Sequence, residues 1–168
     1  DKQYHTAIMA IQCQFMEYKI MINMEVGTPI DYPILLKVWE SSVRATHDFL
    51  QEQDIQALRP LILHTYLPGL TITLARLSCD HSIVGFTGVS ENRIEMLFVD
   101  ADQRGKGIGK RLLLQATNEQ SADELDVNEQ NIQAISFYKK HGFETVGRSE
   151  VDGQGMPYPL LHMRLRGT

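Results

Sequence analysis

Several things are scarce in this chain. It holds two cysteines in 168 residues, Cys13 and Cys79, far apart and in no CxxC or Cys/His cluster. That excludes a zinc finger and fits two reduced thiols rather than a disulfide framework. No metal site is expected. Basic charge is not in excess either: the net charge is −5 and the sequence pI about 5.6. A general nucleic-acid binder needs a cationic face to neutralise phosphates, so nucleic acid is not expected as a partner. An acidic surface suits cationic acceptors instead. No apolar run approaches the ~20 residues of a membrane span, so no membrane partner is expected. Ala7 to Met16 is rather apolar, but Gln12 and Gln14 interrupt it and no small-residue cleavage site is visible. It is not read as a signal peptide, and the expected location is cytoplasmic. Residues 1–16 are expected to be a leader or variable segment, and residues 17–168 a single domain. Internal repeats and low-complexity tracts are absent as well.

What is present is an alternation of patterns. Tyr18 to Val26 reads as a first strand. Asp31 is a candidate N-cap, with Pro33 in the first turn of a helix that ends near His47. Glu52 to Leu67 carries a second helical pattern, which Pro60 should break or kink. Leu70 to Leu77 and Ile83 to Val89 read as a hairpin. Arg93 to Val99 is largely apolar, as expected of a strand buried on both faces. A glycine-bearing loop, a helix from Ile108, a short strand Glu124 to Asn128 and a helix from Asn131 to His141 follow. Gly142 is a fitting left-handed cap. Two strands, Phe143 to Val151 and Tyr158 to Arg166, close the chain. The order predicts an α/β layered domain with a mixed sheet.

The sharpest motif is Gln103-Arg104-Gly105-Lys106-Gly107-Ile108-Gly109-Lys110, set between a strand and an amphipathic helix. Glycines let backbone approach a ligand, and a helix start offers free N–H groups and positive dipole. The combination is an anion site suited to phosphate. It is not a Walker loop, because Arg104 stands where a glycine is required and Arg111 follows Lys110. Nor is it a dinucleotide fingerprint, which would need glycine at Lys110 or Leu112. A second motif, Asn131-Ile132-Gln133-Ala134-Ile135-Ser136-Phe137-Tyr138, runs to Gly142-Phe143. On a helix Asn131, Ala134 and Tyr138 share a face; Phe137 reads as core packing.

The two motifs, in this order, resemble the GNAT superfamily of N-acetyltransferases. The loop is similar to its [QR]-x-x-G-x-[GA] signature and the helix to its N-x-x-A-x-x-F-Y-x-x-x-G-F pattern. Stretches around Trp39–Leu50, Gly147–Asp152 and Pro157–Leu160 resemble the narrower bacterial YjaB-type group. The resemblance spans about Tyr32 to Leu165, and Pro60 departs from it. It implies a mixed, mostly antiparallel central sheet with helices on both faces. It also implies acetyl-CoA as cofactor and an amine as acceptor, in a small molecule or a peptide. Many members dimerise, so a homodimer is left open.

The resemblance further implies that Arg104, Gly105, Lys106, Gly107, Ile108, Gly109 and Lys110 hold the pyrophosphate. It implies that the backbone of Leu97, Phe98 and Val99 pairs with the pantetheine arm, Leu97 N–H serving as oxyanion donor. Asn131, Ala134 and Tyr138 would face the cofactor, with Tyr138 as acid for the thiolate; Asn128 is either a pantetheine ligand or a turn-former. Glu95 is the candidate base, because a lysine-like amine with a pKa of about 10.4 must lose a proton before it can attack. Trp39, His47, Asp48, Phe49, Asp152 and Tyr158 are acceptor-side candidates, His47 as a base or merely exposed, Asp48 alternatively a cap. A non-catalytic acyl-CoA-binding module and another phosphate-ligand enzyme are the rival readings.

Overall fold

The computed structural model describes residues 21–167. The expectations for residues 1–16, and for a first strand starting at Tyr18, lie outside that range. The described part of the strand is β1 (Ile22–Val26). Helix α1 (Tyr32–Thr46) follows with Pro33 in its first turn. Asp31 precedes it, but its carboxylate accepts from the N–H and hydroxyl of Thr28, one turn back, and so caps the preceding short turn instead.

Helix α2 (Glu52–Leu61) starts after Gln51, whose backbone N–H donates to Asp54 Oδ2 at 3.1 Å. Pro60 does not end the helical path. Beyond it the chain widens into a π turn over Ile62–Tyr66, where Leu67 N–H donates to Ile62 O, five residues back. Proline has no N–H to give to the carbonyl four residues earlier, and a local change of helical register absorbs the misfit. Arg44 and Arg59 both reach Glu40, and Arg44 also pairs with Glu52, so charge ties α2 to α1.

Next come β2 (Thr71–Leu77), β3 (Ile83–Ser90) and β4 (Arg93–Val99). They are followed by α3 (Ile108–Glu119), β5 (Glu124–Asn128), α4 (Ile132–Lys140), β6 (Phe143–Ser149) and β7 (Leu160–Leu165). The seven strands form one sheet in the order β1-β2-β3-β4-β5-β7-β6. Every pairing is antiparallel except β4–β5. Helices α1 and α2 cover one face through Leu35, Trp39, Val43 and Ile55 against Ile72, Leu74, Phe86 and Met96. Helices α3 and α4 cover the other through Leu113, Ala116, Ile135 and Tyr138 against Ile94, Leu125 and Met163. Among the described residues no helix is long and apolar enough to cross a membrane.

Two departures from regular pairing matter for function. The parallel β4–β5 contact lasts two residue pairs, Arg93↔Glu124 and Ile94↔Leu125, and the strands then part. The rest of β4 therefore faces a cleft. Only Ile94 and Met96 of this strand are buried, which corrects the expectation of burial on both faces; β3, buried along seven of its eight residues, is the sealed strand. Second, β3 and β4 slip register between Gly88↔Met96 and Val89↔Ile94, leaving Glu95 as the extra residue of a bulge. Bulges re-aim side chains next to sites.

Candidate active site

The cleft opened by the parting strands holds a cavity of about 490 Å³. Its floor is Leu97, Phe98 and Val99 of β4. One wall is Gln103, Arg104, Gly105, Gly107, Ile108, Gly109 and Lys110; the other is Asn131, Gln133, Ala134 and Phe137 of the α4 region, with Lys140 and His141 beyond. Ser42, Thr46 and His47 close it from the end of α1. Most of the loop and strand residues expected on the cofactor side are thus brought together.

The loop is built for an anion. Gly105 and Gly107 sit at φ +75° and +80°, in the left-handed region where a side chain is strained. Nothing lies within 4 Å of where their Cβ atoms would stand, so the space above the loop is open. The amides of Gly107, Ile108, Gly109 and Lys110 donate to no acceptor among the described residues. Free amides at the start of a helix are a phosphate cradle. Lys106 is turned elsewhere, its ammonium on Gln103 Oε1 at 2.9 Å, and it does not line the cavity. Arg104 crosses the mouth to Gln133 Oε1 at 2.5 Å.

Asn131 caps α4, its side-chain oxygen accepting from Ala134 N–H at 3.1 Å. Ala134 and, against expectation, Phe137 line the cavity. Tyr138 does not. It is 9% exposed, packed edge-on to Phe137 and Phe143, and burial pushes its pKa well above the ordinary phenol value. Its hydroxyl makes no hydrogen bond within the described residues, and it is not one of the sealed unpartnered polar atoms, so the ring is buried while the oxygen keeps access to solvent. Asn128 lies outside the cavity; its side chain accepts from Gln130 N–H at 2.9 Å, the turn-forming alternative.

His47 is neither loose nor fully exposed. Burial lowers its pKa to about 4 against the opposing pull of Asp48, so the imidazole is neutral near pH 7. The sequence offered no signal for this, because the burial comes from distant elements.

A second cavity of about 460 Å³ lies on the other side of Phe98, which lines both. Trp39, Leu58, Ile62, Leu70 and Met96 make it largely apolar; Thr65 and Tyr66 enter from the π turn, and Ser90 and Glu95 supply polar atoms. Glu95 is exposed in the open cleft, yet its surroundings desolvate it enough to raise its pKa, with Arg93 opposing and Asp126 adding to the rise. Asp48 is exposed and lines neither cavity, and Phe49 lines neither but stacks between His47 and Tyr158. Tyr158 donates to Asp54 Oδ2 at 2.8 Å. The loop before it is organised by Asp152, which accepts from Gln154 and Met156 N–H, and Gln154 in turn donates to the Tyr66 hydroxyl at 2.7 Å. This loop reaches the rim of the second cavity through Tyr66. Among the described residues no cluster could hold a metal ion.

A phosphate cradle opening onto a parted sheet, with a largely apolar second cavity behind one shared residue, is an arrangement suited to acyl transfer. The chain matches the acetyltransferase (GNAT) domain model over residues 69–166. It is 41% identical over 144 residues to the peptidyl-lysine N-acetyltransferase YjaB of Salmonella typhimurium, covering 86% of this chain and 98% of that one. Against the Escherichia coli protein of the same name it is 42% identical over 134 residues, 80% of this chain and 90% of the relative. The solution structure of apo-form YjaB from Escherichia coli superposes with a TM-score of 0.79 at 37% identity, covering 89% of this chain and all of that one. The PaiA N-acetyltransferase of Thermoplasma acidophilum, solved with coenzyme A, shares the fold at a TM-score of 0.67 and 21% identity, over 87% and 99% of the two chains. The chain belongs to the GNAT acetyltransferase family. It is an N-acetyltransferase, and its acetyl donor is acetyl-CoA.

Proposed function

We propose that this protein moves the acetyl group of acetyl-CoA directly to the ε-amine of a peptidyl lysine, in a ternary complex in the cytoplasm. The observation that carries the reading is the pair of cavities meeting at Phe98, one with a phosphate cradle and one apolar with a carboxylate. A largely apolar cavity with the Glu95 carboxylate in its lining suits the four-carbon stem and ammonium of lysine. The YjaB relatives carry peptidyl-lysine acetylation in their names, which supports the same acceptor here.

Acetyl-CoA supplies an activated thioester; the chain supplies position and proton traffic. The Gly107–Lys110 amides and Arg104 hold the pyrophosphate end. The free backbone of Leu97 to Val99 aligns the pantetheine arm by adding it alongside β4. Leu97 N–H is the oxyanion donor, a role worth about 10²–10³ in rate where such donors have been removed. Glu95 takes the first proton from the incoming ammonium, directly or through water, and its raised pKa brings it nearer the operating pH. Tyr138, whose ring packs behind the Ala134–Phe137 wall, is the candidate to direct its hydroxyl at the departing sulfur as a hydrogen-bond donor without giving up its proton.

Calorimetric titration with acetyl-CoA, using ATP as control, followed by thiol release with a panel of lysine peptides, tests the reading. Saturable acetyl-CoA binding, no ATP binding and peptide-dependent thiol release are expected. Thiol release with small amines but with no lysine peptide would overturn the acceptor assignment.

A further inference from the structure

Acetylation of a lysine disposes of two protons. One leaves the ammonium before attack; the second leaves the nitrogen once the N–C bond has formed. Glu95, in the second cavity, serves the first on the reading above. The cleft cavity holds an imidazole, His47, whose hydrogen bonds bear on the second.

Two hydrogen bonds fix the imidazole tautomer. The Thr46 hydroxyl donates to the Ser42 carbonyl at 2.8 Å, so its proton is committed. Its contact with His47 Nδ1 at 2.7 Å is then an N–H of the imidazole donating to the hydroxyl oxygen. A neutral imidazole carries one N–H, which leaves a lone pair on Nε2. Asn131 confirms the sense. Its side-chain oxygen is used by Ala134 N–H, so its amide nitrogen is what faces Nε2, at 3.5 Å. A donor opposite a lone pair is consistent, and at that distance it leaves the lone pair largely free. His47 lines the same cavity as Leu97, Phe98 and Val99, the strand proposed to carry the thioester end.

We infer that His47 is the second proton acceptor of the transfer, a role that rests on the lysine-acetylation reading above. As the amine nitrogen bonds to the acyl carbon and the carbon–sulfur bond breaks, its surplus proton passes to His47 Nε2. His47 then gives it to the thiolate, which leaves as the thiol, and the imidazole ends neutral. Amine and thioester become amide and thiol with nothing left over. The groups around His47 suit the task. Asp48 beside it favours the imidazolium that forms in passing. Burial keeps the resting imidazole unprotonated; Arg104, Lys110, Lys140 and His141 share the cavity from the loop and the α4 region, and β4 contributes no charge there.

The test compares wild type with His47→Gln, His47→Ala and Thr46→Val. Lysine-peptide turnover should fall about 100-fold in His47→Gln, with acetyl-CoA affinity within about threefold of wild type. Added imidazole should restore part of the turnover of His47→Ala, a gain that a packing role would not produce. Thr46→Val should lose turnover by a smaller factor while keeping the fold. Nitrogen-15 spectra of the wild-type imidazole should report the Nδ1–H tautomer. An Nε2–H tautomer, or a His47→Gln variant within about threefold of wild-type turnover, overturns the inference while leaving the function reading intact. A wild type that binds acetyl-CoA but acetylates no lysine peptide overturns the function reading, and this inference with it.

Discussion

The two sides of the cleft are built by different means. The cofactor side is mostly backbone: free amides of one short loop, a strand released from its neighbour, and one capped helix. The acceptor side is mostly side chains gathered from α1, the π turn, the β4 bulge and the loop after β6. On the proposed reading, backbone meets a chemical constant, the pyrophosphate and amide-bearing arm of coenzyme A, and side chains meet what varies, the acceptor. Damage to the first should therefore appear as lost donor affinity, and damage to the second as lost turnover or acceptor affinity.

The largest effect is expected on the acceptor side. Glu95→Gln keeps shape and removes the proton acceptor, so turnover should fall about 100-fold with acetyl-CoA affinity unchanged. Because the proposed role needs Glu95 deprotonated and its pKa is raised, wild-type turnover should decline as pH falls, and the variant should lose that decline. A steady-state pH series checks both, and an unchanged profile would remove Glu95 from the chemistry. Next, Gly107→Val forces a β-branched side chain to φ +80° in the loop. Acetyl-CoA affinity should weaken about 10- to 50-fold by calorimetry, since strain of order 1–3 kcal/mol either persists or distorts the cradle. Wild-type affinity in that variant would break the comparison.

A third expectation concerns stability. His47 has its folded pKa depressed to about 4, so between pH 6.5 and 4 the unfolded chain binds a proton that the folded chain refuses. Stability should drop across that window, by up to roughly 3 kcal/mol for the full displacement, and His47→Gln should flatten the slope in urea titrations. The smallest effect is expected at the rim. Tyr66→Phe removes one exposed hydrogen bond to Gln154, and peptide KM should rise about two- to threefold with kcat held.

The same division explains what the sequence could tell. The cradle was legible because its determinants are adjacent in the chain: glycines that permit positive φ, then a helix start. Gly142, at φ +94°, was legible for the same local reason, whereas Asn131 read as a cofactor-facing residue and its side-chain oxygen caps α4. The bulge at Glu95 was not legible, because it is a property of two strands in register and β4 alone reads as a plain apolar run. The π turn was flagged only as trouble at Pro60, since propensity says where a helix is strained and packing decides how the strain is absorbed. His47 read as a loop histidine, and its neutrality arises from burial, with the Phe49 ring against it and Asn131 across the cleft. Tyr138 read as facing the cleft by helical spacing, but Ala134 and Phe137 form the wall and the tyrosine ring fills the core behind them.

The two-pair β4–β5 contact has a consequence for folding as well as for catalysis. It divides the sheet into a unit of four strands and a unit of three strands with α4, joined by two residue pairs, the bonds of Asn92 and Arg93 to Asp123, Glu124 and Asp126, and the helix α3 packed across them. Such a line is where cooperative opening begins. Amides of β5, β6 and β7 should exchange with solvent as one group, ahead of the sealed β3. Acetyl-CoA, lying along that line, would act as a clasp whose removal lets the molecule breathe at its hinge.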